Sequence, residues 1–235
     1  MKQIAHRGYS DKYPENTLLA FSKAIEKGFD GIETDVHKTK DGVLVLCHDE
    51  KIDRTSNGQG YIKDMTYDEL LTYSFNYKNE GLDEKIPKLS QLLDLVKDKD
   101  VILDIEAKTD NIHYEGIEQD IYNLVKEYNL LDKCLFSSFY LDSLFKFREI
   151  DNTLTLGYLW EDNYEENKQK CIENNFNCHA KESLLDEDEI KIYESKGLEI
   201  NTWTVKNTFR YNYFRELGVN MTISNKYFKD TAVVD

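Results

Sequence analysis

Proline and cysteine are scarce in this 235-residue chain, which has two of the first and four of the second. Cys47, Cys134, Cys171 and Cys178 form no Cys-x-x-Cys pair, and a chain of this length buries enough surface to hold its fold without disulfide staples. Cys178 adjoins His179, yet the second ligand pair of a structural zinc site is missing. Reduced, partly buried thiols are therefore expected. Long apolar runs are also lacking, and none approaches the ~18 residues of a membrane span. The opening segment MKQIAHRGYS carries charges where a secretory leader has its apolar stretch. A cytoplasmic location without stable membrane insertion is the expectation. Positive charge is in short supply, with 30 Lys and Arg against 45 Asp and Glu, a formal net charge of −15. Such a field disfavours nucleic acids and anionic membranes, and an anionic ligand would need a local cation to offset it. Internal repeats and low-complexity segments are absent, and the 40% hydrophobic content excludes a disordered or fibrous chain.

What is present is alternation. Residues 2–6 read as a strand and 17–27 as a helix, with Leu18, Phe21, Ala24 and Ile25 on its apolar face. Strands follow at 30–36 and 43–48, joined by the turn Lys40-Asp41-Gly42. Residues 49–85 are polar, glycine-dotted and aperiodic except near 66–73. After Pro87 a helix is predicted over 89–97, a strand over 101–106, and a helix over 115–128 with Ile117, Ile121, Leu124, Val125 and Tyr128 on one face. Further strand–helix pairs begin near 133, 154, 176, 198 and 219. Eight such units plus one extra strand after the second predict a (β/α)8 TIM barrel, with 1–235 as a single domain and 49–85 as a small insertion within it. A doubly wound sheet is the structural rival.

Strand parity selects the chemistry. Glu33 and Asp35 share one face of their strand with Gly31, while Ile32, Thr34 and Val36 share the other. Two inward carboxylates need a partner, and a hard cation supplies one; the alternative is a solvated strand end. Asp104 and Glu106 repeat the pattern, and Lys108 follows on the same parity, either as a phosphate contact or as a surface lysine paired with an acid. His6 and His48 each end a strand, at the face where barrel active sites lie. Such a pair suits acid–base chemistry near neutral pH, although each singly reads as a structural histidine. Arg7 offers a fork that matches phosphate. In Pro14-Glu15-Asn16-Thr17, Asn16 or Thr17 can cap the helix that follows.

These residues fall into an ordered set of motifs: His6-Arg7-Gly8, Pro14-Glu15-Asn16-Thr17, Gly31-Ile32-Glu33-Thr34-Asp35-Val36, Asp41-Gly42-Val43 and His48-Asp49. Asp53-Arg54-Thr55, Ile86-Pro87, Glu106-Ala107-Lys108, Ser138-Phe139 and Asn201-Thr202-Trp203-Thr204-Val205 continue it. In that order the chain resembles the glycerophosphodiester phosphodiesterase family over most of its length. The resemblance implies a (β/α)8 barrel with a small insertion after the second strand, and hydrolysis of glycerophosphodiesters to glycerol 3-phosphate and an alcohol. It implies one divalent cation, Ca²⁺ or Mg²⁺, on Glu33, Asp35 and Glu106. His6 and His48 become the acid–base pair, His6 as base and His48 as acid, with water or the glycerol's own hydroxyl as nucleophile. Arg7 and Lys108 become phosphate contacts, and Trp203 lines the substrate pocket. Two features depart from the pattern: Ala107 is smaller than usual, and the segment Gly218–Asn225 matches loosely and lacks a following proline. Asp104 points inward without a role. A phospholipase-type enzyme would need an apolar rim, which the polar 49–85 stretch does not offer. A non-catalytic binding barrel would lack one of the essential groups.

Overall fold

A computed structural model describes residues 1–77, 79 and 81–231. In chain order its first elements are strand β1 (Lys2–His6), helix α1 (Leu18–Lys27), β2 (Gly31–Lys38), β3 (Leu44–Leu46), the short α2 (Tyr67–Leu70) and α3 (Leu89–Val96). Then come β4 (Ile102–Ala107), α4 (Ile117–Glu127), β5 (Cys134–Ser138), α5 (Leu141–Ile150), β6 (Thr155–Trp160) and α6 (Tyr164–Asn174). The last are β7 (Asn177–Lys181), α7 (Glu187–Ser195), β8 (Ile200–Trp203), α8 (Thr208–Glu216) and β9 (Met221–Ser224).

Strand β1 pairs in parallel with β2 on one side and with β9 on the other. The sheet therefore closes on itself, and the doubly wound alternative, whose edge strands stay open, is excluded. The remaining strands follow in sequence as parallel neighbours, and β3 alone runs antiparallel, outside the ring against β2. This is the predicted (β/α)8 barrel with its extra strand. Within the described residues β9 is followed by a single 3₁₀ turn, Lys229–Thr231, where a helix was expected.

The outward faces of the strands bury Ala5, Ile32, Val36, Leu103, Ile105 and Phe136 against Phe21, Ala24, Leu93, Ile121 and Phe147 of the helices. Full burial of each large apolar side chain contributes about 1.5–3 kcal/mol. Helix α1 starts where Thr17 Oγ1 accepts the Ala20 amide at 3.2 Å, and ends at Gly28, whose φ of +95° few other residues tolerate. No helix among the described residues is long and apolar enough to cross a membrane.

The insertion departs from its polar appearance. Ile52, Ile62, Tyr67, Leu70 and Phe75 join Val45, Cys47 and Ile86 in a second small core. Their irregular spacing matches neither helix nor strand period, so periodicity could not find them. The stretch near 66–73 does contain α2, started by a Thr66–Glu69 capping box. All four cysteines are buried and unbridged, and burial pushes the Cys47 and Cys178 thiols up to about 12, which leaves them unreactive.

Candidate active site

Every second residue of the parallel strands points into the barrel, and at its C-terminal end these positions are polar. Register places His6 opposite Glu33, Glu33 opposite Asp104, Asp35 opposite Glu106, and Glu106 opposite Ser137. A cavity of about 450 Å³ opens above them, lined by His6, Arg7, Glu33, His48, Glu106, Lys108, Phe139 and Trp203 among others. The sequence-selected residues thus converge on one site.

Glu33, Asp35 and Glu106 are buried, and one oxygen from each lies within 4.8 Å of the others. Burial, followed by the neighbouring Asp35 charge, holds Glu33 well above the usual carboxylate range. Burial also raises Glu106, against the pull of Lys108. Asp35 goes the other way: burial opposes its ionisation, but Arg7, His48, Lys108 and an Asn16 hydrogen bond outweigh it. Its Oδ1 is buried with no hydrogen-bond partner, and the Lys108 ammonium stays 3.9 Å away. Three crowded carboxylates and an orphaned oxygen are the donor set a hard divalent cation takes, and such an ion would relieve their repulsion.

The cations sit around this cluster. Lys108 Nζ donates to Glu106 Oε1 at 2.8 Å and lies 5.7 Å from the Phe139 ring centroid. Arg7 has a left-handed backbone, φ +57°, followed by Gly8 at +79°, where a Cβ would strike the Ala20 backbone at 2.7 Å. That tight turn aims the Arg7 amide at Glu33 Oε2, 2.9 Å away, and its Nη1 at Glu15 Oε1, also 2.9 Å. Arg7 Nε is buried without a hydrogen-bond partner, 3.4 Å from Asp35 Oδ2.

The two histidines are held differently. His6 Nδ1 lies 2.6 Å from Asn225 Oδ1, a neutral acceptor, so Nδ1 carries the proton and Nε2 keeps its lone pair. Burial, followed by the Arg7 charge, pushes the His6 pKa down to about 3. His48 Nδ1 instead lies 2.6 Å from the Asp49 carboxylate. Its backbone carbonyl meets Nε2 of the buried His37, whose Nδ1 reaches the Tyr114 hydroxyl at 3.0 Å.

Below the cavity, Asp104 accepts from Ser137 Oγ at 2.6 Å and lies 3.7 Å from His179 Nδ1. Burial raises Asp104 to about 7 and lowers His179 to about 3. The role-less inward acid is thus part of a polar floor. His179 also accepts, through its carbonyl, the Trp203 indole N–H at 2.8 Å, and Trp203 stands edge-on to Phe139 at 5.5 Å. Those two rings form the apolar wall of the cavity.

Residues 6–227 match the model of the glycerophosphoryl diester phosphodiesterase family. The chain belongs to that family. A glycerophosphodiester phosphodiesterase of Caldanaerobacter subterraneus subsp. tengcongensis is 42% identical over 160 residues, which is 67% of this chain and 66%, just under two-thirds, of that protein. The structure of a Thermotoga maritima family member matches with a TM-score of 0.78 at 29% identity, covering 96% of this chain and 94% of that one. An Oleispira antarctica phosphodiesterase, solved in complex with the product sn-glycerol-3-phosphate, shares the fold at a TM-score of 0.84 and 24% identity, covering 96% of this chain and 93% of that one.

Several site residues escaped sequence reasoning. Of Asn16 and Thr17, either of which could cap the helix, Thr17 makes the cap, and Asn16 is left to donate to Asp35 Oδ2 at 2.8 Å and accept from Thr34 Oγ1. Asp49 follows His48 directly, so its adjacency was a usable signal. Glu15 lies in the Pro14-Glu15-Asn16-Thr17 motif, only eight residues from Arg7, whereas His37, His179 and Asn225 have no such local mark.

Proposed function

We propose that this protein hydrolyses glycerophosphodiesters, such as glycerophosphocholine or glycerophosphoethanolamine, to glycerol 3-phosphate and an alcohol, with Ca²⁺ or Mg²⁺ on Glu33, Asp35 and Glu106. The observation that carries this reading is the convergence of three carboxylates within 4.8 Å, with two differently held histidines and two cations lining one cavity. Family membership and the product bound by the Oleispira phosphodiesterase support the substrate class.

The cation, when bound, supplies Lewis-acid polarisation and charge neutralisation to the phosphodiester. The chain's own residues do the rest. Arg7 and Lys108 bind the phosphate oxygens and stabilise the charge that grows on them. His6, neutral with a free Nε2, takes the proton of the nucleophile, either water or the neighbouring glycerol hydroxyl. His48, whose ring Asp49 orients through Nδ1, delivers a proton from Nε2 to the departing alkoxide. Trp203 and Phe139 pack against the glycerol carbons and keep water from that side. A single barrel domain performs this, with the 49–85 insertion carrying the His48 side of the cavity.

A lysophospholipid would need an apolar rim, and among the described residues the exposed large hydrophobics are Tyr61 and Phe209 alone. A small water-soluble diester fits better. The test is a coupled glycerol 3-phosphate assay over a panel of diesters and lysophosphatidylcholine, with chelator and metal add-back. His6→Ala and His48→Ala should each lose about 10²–10⁴-fold in rate. Undiminished turnover after chelation, or in both histidine variants, would overturn the reading.

A further inference from the structure

One side chain of the insertion touches both halves of the site's support. The Arg54 guanidinium donates Nη1 to Glu15 Oε2 at 2.8 Å and Nη2 to Glu15 Oε1 at 2.9 Å. The same group donates Nε to Asp49 Oδ2 at 2.8 Å and Nη2 to Asp49 Oδ1 at 2.9 Å. Both carboxylates are therefore held bidentately by one planar fork. Each carboxylate has its other contact in the cavity wall: Asp49 Oδ1 meets His48 Nδ1 at 2.6 Å, and Glu15 Oε1 meets Arg7 Nη1 at 2.9 Å. Arg54 Cζ lies 5.1 Å from the Tyr77 ring centroid, which limits its swing. The result is a continuous line of alternating charge, Arg7–Glu15–Arg54–Asp49–His48, joining the loop after β1 to the loop after β3.

We propose that Arg54 is a positioning residue for the reaction: through Asp49 it fixes the His48 ring, and through Glu15 it steadies Arg7, so that one guanidinium of the insertion sets the proton donor relative to the phosphate contact. The inference rests on the roles given above to His48 and Arg7. Without Arg54, two carboxylates that face one cation would repel each other, and Asp49, 29% exposed, would be free to rotate away from His48. A lysine keeps the charge but cannot bond two carboxylates bidentately at once. Arg7 would still be held by Glu33 and Asp35. Loss of Arg54 therefore falls more on proton delivery than on substrate capture.

The experiment compares wild type, Arg54→Lys and Arg54→Ala by steady-state kinetics and by the imidazole N–H resonance of His48, assigned from its loss in His48→Gln. Both variants should lose about 10- to 100-fold in kcat with a smaller change in KM. The His48 Nδ1–H signal should weaken or shift in each. Guanidinium ion at a non-denaturing concentration should restore part of kcat and of the resonance to Arg54→Ala. Wild-type kcat in Arg54→Lys, or an unchanged resonance in a folded variant, would overturn the proposal. So would a fall confined to KM, or an Arg54→Ala enzyme that guanidinium leaves unaltered. Should Arg54→Ala not fold, Arg54→Lys still decides by its kcat and its resonance. The resonance needs no substrate, so a wild type inactive on glycerophosphodiesters would refute the proposed reaction and leave this test intact.

Discussion

At position 157 the barrel interior has no room for a methyl group, because an added Cβ would stand 2.2 Å from His179 Nε2. Gly157→Ala must displace an imidazole that also anchors Trp203 through its carbonyl. A loss of about 1–3 kcal/mol is expected from such overpacking, read as a lower urea midpoint at unchanged slope. His179 also couples stability to pH. Burial lowers its folded pKa to about 3, whereas an unfolded histidine titrates near 6.5. Between those values the unfolded chain binds the extra proton, so the stabilisation is complete above pH ~6.5 and falls by about 1.4 kcal/mol per unit as pH drops. Asp104 has the opposite sign: its pKa is raised to about 7, so the folded chain holds a proton that the unfolded chain gives up, and acidification from there favours folding. His179→Gln isolates the first effect, and its urea stability should decline less steeply than wild type between pH 6.5 and 4. Parallel curves would mean that His179 is already charged in the fold. Parity along single strands made Glu33, Asp35 and Glu106 readable in the sequence, and strand ends made His6 and His48 readable. The partner that distinguishes the two histidines was half-readable: Asp49 is adjacent in sequence, whereas Asn225 lies 219 residues from His6.

Strand β3 and the segment after it form the element that decides the His48 side. β3 is three residues long, and its register, Leu46 against Val36 and Leu44 against Lys38, carries His48 to the mouth of the barrel. The small core around Ile52 then folds the chain back, so that Arg54 bridges Asp49 and Glu15. Ile52→Ala should cost about 2–5 kcal/mol within this unit. Amide exchange should quicken over residues 44–77, the barrel strands should keep their protection, and kcat should fall before the global unfolding midpoint does. Uniform loss of protection would show instead that insertion and barrel unfold as one unit. Element order was legible because each strand–helix pair has its own period. The insertion's core was not, since its apolar residues fall at irregular intervals and meet through loops. The 3₁₀ turn that follows β9 among the described residues was equally hidden, because a strand pattern does not reveal what packs behind it.

At the scale of the molecule, a formal charge of −15 surrounds a cavity whose cations are few. The outer field repels an anionic diester, while Arg7 and Lys108 attract it only at short range. Salt screens charges beyond ~10 Å at 0.1 M and spares buried ones. Raising ionic strength should therefore increase kcat/KM for a diester of a neutral alcohol, and change it little for one bearing a quaternary ammonium, whose net charge is zero. A decrease for the neutral alcohol would show that the site's cations govern capture from afar. The circular architecture followed from counting strand–helix units, and with it the closing pair, in which β1 and β9 meet only in the completed ring. That seam bears on synthesis. A nascent chain emerging up to residue 210 already contains both histidines, all three clustered carboxylates, Arg7 and Lys108, yet it lacks Asn225, the acceptor for His6, and the strand that flanks β1. The ring opens at its first strand until its last one arrives, so the ribosome must pass residue 225 before the opening histidine can settle into a single tautomer.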